Sequence, residues 1–138
     1  PEGNALYFWE GEQGRSEIRK LTASQLENLV RDTPLRFVYL SNCWGASTAP
    51  PATLLDEDFL GVMDGLVMAG VPAVLGFRWP VSDSGAHMLA QSFYSAWLEG
   101  GNRLDQALCE ARRTVTDRCG RDERAWFSPI LVMRTPDF

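Results

Sequence analysis

Cys43 raises the first chemical question. It closes the apolar run Leu35-Arg36-Phe37-Val38-Tyr39-Leu40-Ser41-Asn42, and Trp44 and a small-residue loop, Gly45-Ala46-Ser47-Thr48-Ala49-Pro50-Pro51, follow it. A thiol at the carboxyl end of a strand in an α/β sheet sits where such folds place ligands and chemistry. As a thiolate it would be a nucleophile, and a backbone N–H at that turn could serve an oxyanion. An inert role competes, because free cysteine often packs in cores as a small hydrophobe. The other thiols offer less. Cys109 reads as packing within a helix, and Cys119, near Arg118 and Arg121, as a surface thiol.

A base for such a thiol is scarce. His87 is the only histidine, and it falls one position off the inner face of its helix, which places it at the surface. Geometry has to be right before pKa matters, so His87 is a poor partner for Cys43. Arg78-Trp79 is a more informative pair, because both side chains sit at the mouth of a second strand, where exposure without a partner is costly. Asp56, Glu57, Asp58 and Asp64 could form an acidic patch. Acids near a helix start are ordinarily favourable electrostatics and nothing more.

The elements that would hold these groups follow from pattern. Leu6 to Trp9 reads as a short strand entering a turn. Thr22 with Gln25 fits a capping box, and Leu26, Leu29 and Val30 give the helix behind it an apolar face. Pro34 ends that segment, and the strand leading to Cys43 begins. From 56 to 69 a helix presents Phe59, Val62, Met63, Leu66 and Val67, with Gly70 and Pro72 as its stop. Ala73-Val74-Leu75-Gly76-Phe77 is a second buried strand, and it runs into the loop Arg78-Trp79-Pro80-Val81-Ser82-Asp83. A helix over 85–99, capped by Asp83 or Ser84, lines Ala86, Leu89, Ala90, Phe93 and Trp97 along one side. Another, capped by Asn102, carries Leu104, Ala107, Leu108, Ala111 and Val115. Ile130 to Met133 forms the last strand. The order β-α-β-α-β-α-α-β predicts an α/β fold, a mostly parallel sheet flanked by helices on both faces.

Composition narrows the rest. The 138 residues suffice for one domain with a real core. A net charge of −5 gives no support to nucleic acid or an anionic membrane as partner. The apolar runs are too short for a membrane span, and no leader pattern opens the chain. Three cysteines without metal-type spacing suggest reduced thiols and a cytoplasmic home. No cofactor motif is present.

Several segments together resemble the CHAT family, caspase-like cysteine peptidases related to separase. Phe37-Val38-Tyr39-Leu40-Ser41-Asn42-Cys43 resembles that family's nucleophile strand. Gly65 through Asp83 resembles its most recognisable stretch, a helix ending Ala-Gly, a strand, then Trp-Pro-Val and an Asp. Phe93-Tyr94, Gly100, Ala107-Leu108 and Ala111-Arg112 resemble its next two helices, and Trp126 before Pro129-Ile130-Leu131-Val132 its closing strand. The likeness runs from about residue 22 to 134 and rests on the order of the segments rather than on one motif.

The resemblance implies a single peptidase domain over 1–138, a caspase-like three-layer sandwich whose N-terminal strands would precede Pro1. It implies a cysteine endopeptidase with Cys43 as nucleophile in a Cys/His dyad, acting in bacterial signalling or defence. The substrate is then a protein or peptide laid as a strand beside Phe77 to Val81, flanked by Phe77, Arg78 and Trp79, with Asp83 orienting the loop. A helical-repeat or regulatory region of the same protein is the other expected partner. One departure stands out. The family's histidine precedes the cysteine in a His-Gly turn, and no histidine precedes Cys43 here. The competing expectation is therefore a catalytically inactive interaction or regulatory module that keeps the peptide groove.

Overall fold

A computed structural model describes residues 5–10, 17–41 and 57–134. The chain opens with an antiparallel pair, β1 (Ala5–Glu10) and β2 (Glu17–Thr22), running from Ala5 opposite Thr22 to Glu10 opposite Glu17. The strand at Leu6–Trp9 was expected, whereas β2 was not. Its sequence, Glu-Ile-Arg-Lys-Leu-Thr, breaks the period of two that marks a half-buried strand, and only pairing with β1 makes it one. Thr22 ends β2 and caps α1 (Ala23–Val30). Thr22 Oγ1 accepts from the Gln25 N–H at 3.2 Å, and Gln25 Oε1 accepts from the Thr22 N–H at 2.9 Å. This is the expected capping box. The helix buries Val30 but leaves Leu29 67% exposed, so the expected apolar stripe narrows to Leu26 and Val30.

The central sheet has the order β3-β4-β5. β3 (Phe37–Leu40) lies parallel to β4 (Ala73–Phe77), with Leu40 opposite Gly76. β5 (Pro129–Met133) lies antiparallel to β4, with Pro129 opposite Phe77. The mostly parallel sheet expected from the order of elements is therefore a mixed one. The cause is the number of helical passes. Two helices, α3 (Asp83–Tyr94) and α4 (Leu104–Cys119), separate β4 from β5. They run out and back, so β5 starts at the end where β4 finished. A single crossover helix, such as α2 (Glu57–Met68) between β3 and β4, keeps strands parallel.

All five residues of β4 are buried, and they alternate between two cores. Ala73, Leu75 and Phe77 pack with Leu89 and Phe93 of α3 and with Leu104, Ala107, Leu108, Ala111 and Val115 of α4. Val74 packs instead with Leu40, with Val62, Met63 and Leu66 of α2, and with Val30 of α1. β3 and β5 share the alternation. Phe37, Tyr39, Leu131 and Met133 join the first core, while Val38, Ile130 and Val132 join the second. Phe93 anchors the first, fully buried and in ring contact with Phe37, Tyr39, Tyr94 and Trp97 at centroid distances of 5.5–6.2 Å. Burial of a side chain of this kind contributes about 1.5–3 kcal/mol.

Three smaller expectations change. The helix predicted over 85–99 begins at Asp83 and gives way to a π-helical turn at Ser95–Glu99. The next helix begins at Leu104 and follows Arg103, whose N–H donates to Gln106 Oε1, so Asn102 is not its cap. Cys109, expected to pack, is exposed because it lies off the stripe formed by Leu104, Ala107, Leu108, Ala111 and Val115. Cys119 is exposed, as read. Among the described residues no helix is long and apolar enough to cross a membrane.

Candidate functional site

The parallel register of β3 and β4 fixes where chemistry would converge. Both strands end on the same side of the sheet. The chain leaving Leu40 through Ser41 and the chain leaving Phe77 through Arg78 therefore emerge together. Cys43 lies two residues past Ser41, outside the described residues. Phe77 is only 4% exposed and packs against Tyr39, with ring centroids 6.1 Å apart, so it is part of the core beneath this end. Arg78, Pro80 and Asp83 are exposed, and Trp79 is half-buried.

Beyond Phe77 the backbone is held by one residue from the other side of the fold. The Arg78 N–H donates to the Ser128 carbonyl at 2.9 Å. The Trp79 N–H donates to Ser128 Oγ at 2.8 Å, and Ser128 Oγ donates back to the Trp79 carbonyl at 2.7 Å. Ser128 is fully buried. Its own N–H donates to the Arg124 carbonyl at 2.9 Å, tying it to the 3-10 turn Arg124–Trp126. On this base stands an aromatic and cationic ridge. The Arg78 guanidinium lies 4.8 Å from the centre of the Trp79 ring. Trp79 faces Phe127 at 5.7 Å, Phe127 meets Trp126 at 5.2 Å, and Trp126 Nε1 donates to the Arg121 carbonyl.

The far end of the loop is fixed by a second contact. Ser82, rather than Asp83 or Ser84, caps α3, with its Oγ accepting from the Gly85 N–H at 3.0 Å. That hydroxyl donates to Glu123 Oε2 at 2.7 Å, and Glu123 Oε1 accepts from the Ala125 N–H at 3.1 Å. Desolvation raises the Glu123 pKa, but hydrogen bonds from the Ser82 hydroxyl and from the backbone N–H groups of Ala125, Ser82 and Arg124 outweigh it. The carboxyl titrates below its ordinary value. Gly85 lets Glu123 approach, since a Cβ there would stand 2.7 Å from the Glu123 carboxyl carbon.

A family model for the CHAT domain matches residues 1–134. The chain belongs to the CHAT domain family. This is a caspase-like peptidase family that includes cysteine proteases. No curated protein and no solved structure matches the chain.

In this CHAT domain Arg78, Trp79 and Asp83 lie along one loop at the carboxyl end of β4, and Phe77 lies under it. Asp83 is the first residue of α3, and its carboxylate makes no hydrogen bond or ion pair with the described residues. Ser82, Glu123 and Ser128 hold the loop instead. His87 is exposed on α3, one helical turn beyond Asp83. Sequence reasoning missed Ser128 and Glu123. Ser128 stands 49 residues from Trp79, and no local pattern links a serine before a closing strand to a loop that far back. For Glu123 a weak signal existed, a carboxylate in the turn before the last strand with a glycine in the opposing helix start.

Proposed function

We propose that this CHAT domain is a cysteine endopeptidase in which Cys43 is the nucleophile and the Arg78–Trp79 ridge lines the substrate groove. The observation that supports it is the register of β3 and β4. It brings the chain leading to Cys43 and the loop of Arg78 and Trp79 out of the sheet at one end. The Cys43 thiolate would attack the scissile carbonyl carbon, with the Cys43 N–H donating to the resulting oxyanion. An imidazolium would then give its proton to the departing amine, and water would hydrolyse the thioester. In this reading the imidazole comes from outside these 138 residues, since His87, the only one within them, follows Cys43 and lies on α3 rather than where the family's histidine stands.

Substrate would lie extended beside Phe77–Val81. The N–H groups of Arg78 and Trp79 are already committed to Ser128. Side chains would therefore do more of the holding than a full ladder of backbone bonds. Trp79 and Phe127 offer an apolar face and Arg78 a cation. Phe77 acts from below, by supporting the ridge, and Asp83 marks the far end of the groove.

A second reading keeps the groove without the reaction: an inactive module that binds a peptide or a regulatory segment. It needs only the ridge of Arg78, Trp79 and Phe127, which is built without Cys43 or a base. Cleavage of peptide libraries by the full-length protein, wild type against Cys43→Ala, separates the two. The peptidase reading expects cleavage that the alanine variant loses. Equal products from both would end the assignment of Cys43, and binding without cleavage would favour the inactive module. Alkylation at neutral pH gives an independent check, with Cys43 expected to react faster than Cys109 and Cys119.

A further inference from the structure

We propose that Ser128 is a positioning residue for the substrate loop, and that its hydroxyl sets the pose of Trp79 and, through it, of Arg78. The inference rests on the reading of that loop as a substrate groove. Ser128 is the one fully buried polar residue among the described ones. A serine hydroxyl has one proton to give and lone pairs to accept. Here it gives to the Trp79 carbonyl and accepts from the Trp79 N–H. These are the two bonds a neighbouring strand would have made.

The location explains why a side chain is needed. β4 and β5 pair up to Phe77 and Pro129, and beyond Pro129 the chain turns away toward the 3-10 turn. Without the hydroxyl, the half-buried Trp79 peptide would keep neither partner. With it, the ladder is carried beyond the start of β5 as far as Trp79, just where the ridge begins. The Trp79 ring is the platform under the Arg78 guanidinium and the neighbour of Phe127. A change in the pitch of that peptide moves the whole ridge. The backbone carbonyl of Ser128 holds only Arg78 N–H, so it cannot substitute for the hydroxyl.

The test compares wild type, Ser128→Ala and Ser128→Cys in the full-length protein. Cysteine keeps a weak donor and acceptor, so it grades the effect and stands in if alanine does not fold. Residue-resolved amide exchange should be about tenfold faster at Trp79 in the alanine variant, with Leu75 in the centre of β4 unchanged and cysteine between the two. With a cleaved peptide, KM should rise about fivefold while kcat stays within about twofold, as expected when ground-state and transition-state binding weaken together. Unchanged exchange at Trp79 would overturn the hold itself. Faster exchange with an unchanged KM would overturn the positioning role. If wild type cleaves no peptide, the peptidase reading fails on its own, and the exchange data still decide whether Ser128 holds the loop.

Discussion

Adding one methyl group at Gly85 puts two opposing terms in direct competition. In a helix, alanine is better than glycine by about 1 kcal/mol, and Gly85 lies in the first turn of α3. On that ground alone Gly85→Ala would stabilise the domain. The structure reverses the sign. The new Cβ would sit 2.7 Å from both Cδ and Oε1 of Glu123 and 2.9 Å from the Cβ of Ala125. Unstrained carbon contacts begin at about 3.5 Å, so something has to retreat by nearly an ångström. Glu123 can swing away only by giving up the Ser82 hydroxyl and the Ala125 N–H. Bonds to a charged acceptor contribute roughly 1.5–3 kcal/mol each, less where water can take the vacated place, as it can around this half-buried carboxylate. Ala125 is fully buried and moves only with its backbone, and overpacking of that kind costs about 1–3 kcal/mol. The sum is a net loss of about 1–3 kcal/mol, a fall in Tm of several degrees for a chain of this size. Thermal unfolding followed by circular dichroism reads it directly. Repeating the substitution on a Glu123→Ala background should recover part of the loss, because the two residues touch and their effects are not additive. A Gly85→Ala variant as stable as wild type would refute the argument.

Two further outcomes follow from the same contacts. Because the Glu123 carboxyl is held below its ordinary value of 4.5, its contribution is fully present above that value and is lost as pH falls through the lower folded value. Urea midpoints measured down to pH ~3 should therefore drop more steeply for wild type than for Glu123→Gln, and parallel curves would refute the assignment. Phe93→Ala empties the centre of the first core and should cost about 3–5 kcal/mol in denaturant unfolding, whereas a loss under about 1 kcal/mol would mean that the ring cluster is not the anchor described.

What sequence could and could not reveal follows from the range of each interaction. β4 was readable residue for residue because five apolar or small residues in a row, bounded by Pro72 and the polar loop, need no partner to be recognised. The inner stripe of α4 was equally plain, since Leu104, Ala107, Leu108, Ala111 and Val115 repeat with the helix and all are buried. β2 escaped because its pattern only makes sense opposite β1. The direction of β5 escaped because the same apolar tetrad serves either orientation, and only the paired passes of α3 and α4 decide. At the candidate site, sequence order placed Arg78 and Trp79 at a strand's mouth. It could not show that both peptides are held from residue 128, because nothing in the local chemistry of Ser128-Pro129 distinguishes a brace from an ordinary turn.

The 49 residues between Trp79 and Ser128 also impose an order of events during synthesis. Chains grow from the amino end, so β3, α2 and β4 can meet while residues 120–134 have yet to be made. At that stage the Arg78–Trp79 segment has no hydroxyl to hold it, and the first core lacks Leu131 and Met133 of β5. The proposed groove takes its final shape only when β5 docks on β4 and carries Ser128 to Trp79. A nascent or truncated chain that stops short of residue 128 would therefore own the strand leading to Cys43 without the brace that holds the Arg78–Trp79 ridge.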